Sequence, residues 1–268
     1  MKAASDRATP AGKPMPLPPV STSEFDGVRY LHLGTDWVQG AMRLDAPQRI
    51  ELEYVQRMLA ALLWLPTEAL GRGRAVQLGL GAGTLTRFTR QALRMDTTAV
   101  ELNPQVVAAC RAWFRLPADD DRLRVVVADA GQWIRDASVA GTVQLLHVDL
   151  YDEQAAAPVI DDLGFYQACR AALAEGGVMA VNLFGRQASF ARSAALIAQA
   201  FGADQVWQLR ATREGNTVVV AARGVQVPGR DGLDFRAGLL QERFARLGLP
   251  ARKWLRMVRP WNPAQGNP

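Results

Sequence analysis

The sequence is poor in the residues that build disulfide frameworks and zinc sites. Its 268 residues include two cysteines and two histidines. Neither Cys110 nor Cys169 lies in a Cys-x-x-Cys or Cys/His cluster. We therefore expect no metal site, no disulfide framework and a reducing compartment such as the cytoplasm.

Long hydrophobic runs are also missing. No apolar stretch reaches the roughly 18 residues that a transmembrane helix needs, and the N-terminus lacks the apolar stretch of a secretory signal. We therefore expect a cytoplasmic protein with no membrane partner. The chain is nevertheless 49% hydrophobic, which is enough to bury a full core and excludes disorder of the whole chain.

Excess charge is confined to one end of the chain. The net charge is +5, but residues 223–268 alone hold nine basic and three acidic residues, so the rest is close to neutral. A body that binds nucleic acid is expected to carry a basic face of its own. We therefore predict no nucleic-acid partner and interpret the basic end as a solvated helix face or a lid, with an anionic partner as the alternative.

Composition and periodicity divide the chain into four parts. Residues 1–23 contain five prolines and predict a disordered leader. Residues 24–66 combine two alternating runs, which predict a β-hairpin, with a helical pattern from Ile50 to Leu65. Residues 67–224 form the main α/β domain, and residues 225–268 a basic C-terminal helix and tail.

The main domain alternates short apolar runs with helical patterns. This alternation is typical of a doubly wound parallel sheet. Two further runs, 205–209 and 217–222, are joined by a turn and predict a closing hairpin whose last strand is antiparallel. The fold class is therefore α/β, with a Rossmann-like, mostly parallel, seven-stranded sheet. The five earlier runs are residues 75–78, 98–101, 123–127, 144–148 and 178–181.

A glycine-rich loop follows the first strand of this domain. Gly79, Gly81 and Gly83 let the backbone approach a ligand closely. Glu101 ends the next strand 22 residues after Gly79, where a carboxylate can accept both hydroxyls of a ribose. Together the loop and the acid predict a nucleoside site, whereas a structural turn beside an edge glutamate is the alternative.

Three more acids follow the third and fourth strands. Asp129 is placed either to accept the amino group of adenine or to cap the helix that begins at Ala130. Asp149 and Asp152 leave the fourth strand at the carboxyl edge of the sheet, where ligands bind in this fold. Tyr151 between them can contact an acceptor or simply pack.

These motifs, in this order, resemble the spermidine synthase (polyamine aminopropyltransferase) family from about Gly27 to Ala222. The resemblance implies a class I S-adenosylmethionine-type fold and transfer of an aminopropyl group from decarboxylated S-adenosylmethionine to an amine. The family's oligomers suggest a homodimer. The residues that carry the resemblance are Asp26-Gly27, Gln39, 53–58, 79–83, 100–101, 128–130, 149–152, 165–166 and 176–177.

The resemblance also implies roles for individual residues. Asp149 matches the carboxylate that deprotonates the attacking amine, and Asp152 matches the residue that helps to hold the polyamine. The implied nucleoside-binding residues are Gln39, Gly79, Gly81, Gly83, Glu101, Leu102, Asp129 and Ala130. The implied acceptor-binding residues are Tyr54, Gln56, Tyr151 and Asp152, although Tyr54 and Gln56 do not both align with the family's helix motif without a gap.

Three segments depart from the family pattern. Ala82 stands where the family has an aspartate that meets the amine end of the donor, and residues 152–158 and 210–215 replace two acceptor-binding motifs. An alanine at position 82 admits the carboxylate of intact S-adenosylmethionine. Methyl transfer is therefore the main alternative function, and a non-catalytic nucleoside or polyamine binder is the other.

Overall fold

Two β-sheets with packed helices make up the part of the chain that the computed structural model describes, residues 17–151, 160–184 and 187–262. The smaller sheet is antiparallel, in the order β1-β2-β3. Its strands are β1 (Val20–Phe25), β2 (Val28–Leu33) and β3 (Val38–Arg43).

The larger sheet has eight strands. They are β4 (Arg74–Leu78), β5 (Asp96–Glu101), β6 (Leu123–Val127), β7 (Val143–Val148), β8 (Leu173–Phe184), β9 (Val206–Leu209), β10 (Asn216–Ala222) and β11 (Val258–Pro260). Their spatial order is β11-β9-β10-β8-β7-β4-β5-β6. The strands β4 to β8 pair in parallel, and β10 runs antiparallel to both β8 and β9. The predicted seven-stranded α/β sheet is confirmed, and β11 adds an eighth strand.

Eight α-helices connect and cover the strands in the described part of the chain. They are α1 (Glu53–Met58), α2 (Thr84–Arg87), α3 (Pro104–Trp113), α4 (Ala130–Trp133), α5 (Leu163–Ala172), α6 (Gln187–Phe201), α7 (Arg230–Arg243) and α8 (Ala251–Trp254). Short 3₁₀ segments and a π-helix, Phe88–Leu93, complete the connections. Within residues 17–151, 160–184 and 187–262, no helix is long and apolar enough to cross a membrane.

Apolar layers lie on both faces of the larger sheet. One layer joins α1, α7 and α8 to the sheet and includes Trp64, Trp207 and Trp254. The other joins α5 and α6 to the opposite face and includes Phe165 and Phe201. A third cluster packs the small sheet and α3 around the glycine-rich loop. The small sheet is thereby held over the carboxyl ends of the parallel strands.

Two boundaries differ from the sequence expectations. The strand β1 begins at Val20, inside the segment assigned to the leader. Its sequence carries no strand pattern because five of its six residues are exposed and it is held by backbone pairing with β2. The helix expected from Ile50 to Leu65 is a short α-helix followed by a 3₁₀ helix, Leu59–Leu63. All five residues of that 3₁₀ helix are buried, so apolar content continues around the segment instead of following one face.

The basic C-terminal region is folded onto the body. Leu240, Phe244 and Trp254 are each at most 3% exposed and belong to the same apolar layer as α1. A groove of about 1300 Å³ lies between this region and Trp64 and Trp207. It is lined by acidic as well as basic side chains, and no described residue of the predicted site lines it.

Candidate active site

A cleft of about 120 Å³ lies at the carboxyl ends of β4 to β7, beneath the small sheet. Ligands bind at this edge of open α/β sheets. The structure brings nine of the predicted site residues together there. They are Gln39, Gly79, Gly81, Glu101, Leu102, Asp129, Ala130, Asp149 and Tyr151.

The glycine-rich loop is squeezed between two neighbouring segments. Gly79 has φ +90°, and a Cβ at this position would overlap the carbonyl oxygen of Asp149. A Cβ on Gly81 would lie 2.9 Å from the carbonyl oxygen of Gln39. Glycine is therefore required at both positions for close approach of the backbone. Gly83 instead precedes α2 at φ +68° and packs near Leu116, outside the cleft.

Glu101 links the end of β5 to the glycine-rich loop. One carboxylate oxygen accepts from the backbone N–H of Leu80 at 3.0 Å and the other from that of Asn103 at 2.9 Å. Burial raises the pKa of Glu101, and these backbone hydrogen bonds oppose the rise. Each carboxylate oxygen can accept two hydrogen bonds, so acceptor capacity is left over for a ligand hydroxyl.

Asp129 caps helix α4. Its Oδ1 accepts from the backbone N–H of Gln132 at 2.7 Å. The capping interpretation is therefore confirmed, and the contact with adenine stays a prediction. Asp129 also lines the cleft beside Ala130 and the half-exposed Leu102, so the capping residue borders the cavity.

Asp149 stands between the main cleft and a smaller cavity of about 20 Å³, and it lines both. Its carboxylate accepts from the hydroxyl of Tyr54 and, at 2.9 Å, from Nδ2 of Asn182. Burial raises the pKa of Asp149, while the two hydrogen bonds oppose the rise. The pKa of Tyr54 is raised by burial and then by the negative charge of Asp149, so Tyr54 remains a donor.

Helix α1 places Tyr54 over Asp149. The buried guanidinium of Arg57 donates to the carbonyl oxygen of Arg210 and, at 2.6 Å, to Glu53. The helix is thereby tied to the end of β9. Gln56 faces away from both cavities and donates to the carbonyl oxygen of Ile50 at 2.7 Å, so the structure brings Tyr54 but not Gln56 to the site.

The hydroxyl of Tyr151 is already occupied. It donates to the carbonyl oxygen of Asn182 at 2.8 Å and accepts from the backbone N–H of Phe184. Its ring packs edge-on against Phe184, whose ring in turn meets Trp37. The ring of Tyr151 is therefore what it offers to a ligand. Asp152 and residues 152–158 of the replaced loop lie outside the described residues.

Sequence reasoning missed Asn182. This residue is 3% exposed and sits in the apolar strand β8, where its neighbours Val181 and Leu183 are also buried. A polar residue in such a strand was the available signal, because a buried amide must find hydrogen-bond partners. Its partner Asp149 is 33 residues away in the chain.

A mostly parallel sheet in which β10 and β11 are reversed, carrying a glycine-loop cleft next to a partly buried carboxylate, defines a transferase of the class I S-adenosylmethionine-type fold. Residues 78–190 match the spermine/spermidine synthase domain family. The chain belongs to the polyamine aminopropyltransferase (spermidine synthase) family, as its curated relatives show.

Two relatives carry that assignment. Polyamine aminopropyltransferase from Chromobacterium violaceum is 31% identical over 85% of this chain and 85% of the relative. The enzyme of the same name from Neisseria meningitidis serogroup A is 31% identical over 93% of this chain and 92% of the relative. A probable spermidine synthase structure from Corynebacterium glutamicum shares the fold, with a TM-score of 0.70, 17% identity and 88% coverage of each chain.

The raised pKa of Asp149 predicts a gain in stability when its charge is removed. A carboxyl group whose pKa is higher in the folded than in the unfolded protein destabilises the fold at neutral pH, and this effect disappears below its ordinary pKa of 3.8. Asp149→Asn should therefore raise the melting temperature at pH 7, and raise it by less near pH 3.5.

Melting curves of Asp149→Asn and of the exposed control Asp121→Asn test this expectation. The control should melt like the parent protein. A lower melting temperature of Asp149→Asn at pH 7 would instead support the interpretation that Asp149 only braces the strand end.

Proposed function

We propose that the protein transfers the aminopropyl group of decarboxylated S-adenosylmethionine to an amine such as a diamine, and that Asp149 is the base. The observation that carries the proposal is the position of Asp149. Its carboxylate borders both the nucleoside-type cleft and the adjoining cavity, and Tyr54 and Asn182 fix it by hydrogen bonds.

The chemistry needs little more than alignment and one base. The acceptor nitrogen attacks the carbon next to the sulfonium, the new C–N bond forms, and the C–S bond breaks with its electron pair kept by sulfur. The neutral thioether methylthioadenosine leaves. Asp149 takes the proton that otherwise blocks the nitrogen lone pair, and because burial raises its pKa it is a stronger base than an exposed aspartate.

The donor nucleoside fits the residues around the cleft. Glu101 would accept the ribose hydroxyls with its remaining lone pairs, and Asp129 would accept the amino group of adenine. Gln39 and the glycine-rich loop would close the cleft from the side of the small sheet. The ring of Tyr151 would contact the acceptor.

Product analysis tests the proposed reaction directly. The protein is incubated with decarboxylated S-adenosylmethionine and 1,4-diaminobutane, and in parallel with intact S-adenosylmethionine and the same amine. Methylthioadenosine in the first reaction is the expected result. S-Adenosylhomocysteine in the second, without methylthioadenosine in the first, would establish methyl transfer, and no product in either would support a binding protein.

The variant Asp149→Asn should lose turnover by roughly 10²-fold to 10⁴-fold, as is typical when a general base is removed. Donor binding should stay close to that of the parent protein, since the amide keeps the shape and a hydrogen-bonding oxygen. The exposed variant Asp121→Asn is again the matched control. Full turnover by Asp149→Asn would contradict the assignment of the base.

Ala82 favours a second candidate, the use of intact S-adenosylmethionine. It lines the small cavity with Tyr54 and Asp149, is 2% exposed and lies in close contact with Gly40. An uncharged side chain here neither attracts an amine nor repels a carboxylate at the donor's tail. Ala82 therefore leaves room for the carboxylate of intact S-adenosylmethionine, which an aspartate at this position would repel.

Replacing Ala82 tests the choice of donor. Ala82→Asp should shift the ratio of affinities toward the decarboxylated donor by about tenfold or more, because a charged hydrogen bond contributes roughly 1.5–3 kcal/mol. The isosteric Ala82→Asn adds the same bulk without charge and should leave the ratio near that of the parent protein. Calorimetric titration of both donors provides the ratio, and equal ratios in the two variants would remove Ala82 from the donor's tail.

A further inference from the structure

A chain of partly buried hydrogen bonds continues behind Asp149 into strands β8 and β10. Nδ2 of Asn182 donates to Oδ1 of Asp149 at 2.9 Å, and Nδ2 of Asn216 donates to Oδ1 of Asn182 at 3.2 Å. Thr212 engages Asn216 in turn: its Oγ1 accepts the backbone N–H of Asn216 at 3.2 Å. Asn182 and Thr212 are 3% and 7% exposed, so water reaches neither freely.

This chain of hydrogen bonds has a direction. An amide has a donor end and an acceptor end, and the two ends cannot both face a carboxylate favourably. Because Asn216 donates to the oxygen of Asn182, the NH₂ group of Asn182 must face Asp149. The hydroxyl of Thr212 approaches Oδ1 of Asn216 at 3.5 Å, which keeps the NH₂ group of Asn216 toward Asn182.

We propose that Asn216 is a positioning residue that orients the amide of Asn182 and thereby keeps Asp149 ionised as the base of the transfer. The inference rests on the proposed function for its kinetic consequence. A flipped Asn182 would turn its oxygen toward the carboxylate of Asp149, and only a protonated Asp149 could then make a hydrogen bond there.

Few other groups near Asp149 can titrate. His147, two residues earlier and in β7, stays neutral because burial lowers its pKa to about 3. Tyr54 faces it from α1, and Tyr151 follows it on the chain, but burial and the charge of Asp149 raise the pKa of both tyrosines, so both stay neutral. The remaining carboxylates that line the described cleft are Glu101 and Asp129. Glu101 is fixed by backbone N–H groups and Asp129 by its helix cap. Neither contacts Asn182 or Asn216.

Reversing the direction of these hydrogen bonds provides the test. In Asn216→Asp the new carboxylate should attract the NH₂ group of Asn182 and turn the amide around. The acid limb of the pH profile of kcat should then move to higher pH by about one unit, the size expected for loss of one charge-assisted hydrogen bond. The plateau at high pH and the KM for the donor should stay close to those of the parent protein.

Two further variants separate orientation from folding. Thr212→Val removes the hydroxyl that holds Asn216, so it should move the acid limb in the same direction by a smaller amount. Thr217 lies next to Asn216 in β10 and points to the opposite face of the sheet. Thr217→Ser should therefore leave the acid limb at the pH of the parent protein. A lower rate at every pH without a shift of the limb, in variants that melt cooperatively, would overturn the proposal and indicate a merely structural role.

The carboxyl ¹³C resonance of Asp149, assigned with Asp149→Asn, reads the same titration without turnover. If the parent protein forms no methylthioadenosine, the proposed function fails, and this resonance still decides the inference. Its midpoint should be higher in Asn216→Asp than in the parent protein. Equal midpoints would contradict the positioning role of Asn216 whatever reaction the protein catalyses.

Discussion

The close approach of the glycine-rich loop to the end of β7 is the constraint on which the site depends. Gly79 lies so near the carbonyl oxygen of Asp149 that no side chain fits between them. Two backbone hydrogen bonds, both 2.9 Å long, hold the neighbouring segments together. The N–H of Gly79 donates to the carbonyl oxygen of Val100 in β5, and the N–H of Asp149 donates to that of Leu78 in β4. The cleft and the carboxylate of Asp149 therefore belong to one junction.

The acids at this junction are costly to keep ionised. Burial raises the pKa of both Glu101 and Asp149, and the protein offsets that cost with directed donors. Glu101 uses backbone N–H groups, whereas Asp149 uses Tyr54 and Asn182. The difference fits their proposed roles, since a binding carboxylate needs a fixed charge and a base must gain and lose a proton.

Much of the fold and most of the residues around the cleft could be predicted because the signals are local. The glycine-rich loop, Glu101 and Asp129 each follow a recognisable strand, and the ends of parallel strands meet at one edge. Asn182 and Asn216 could not be predicted in this way. They are 34 residues apart in the chain, and their roles arise only when the reversed strand β10 pairs with β8. The strand β1 was missed because its exposed polar residues resemble those of a flexible leader.

The measurement that tests this account most directly compares two glycine substitutions. Gly79→Ala and Gly141→Ala both place a side chain at positive φ, +90° and +67°, but a Cβ at Gly141 meets nothing within 4 Å. Backbone strain is thus common to both, and only Gly79→Ala disturbs the junction. Titration with methylthioadenosine should show binding weakened at least about tenfold in Gly79→Ala, equivalent to roughly 1.4 kcal/mol, and unchanged in Gly141→Ala. Parent-like binding and turnover by Gly79→Ala would contradict the claim that this contact holds the site together.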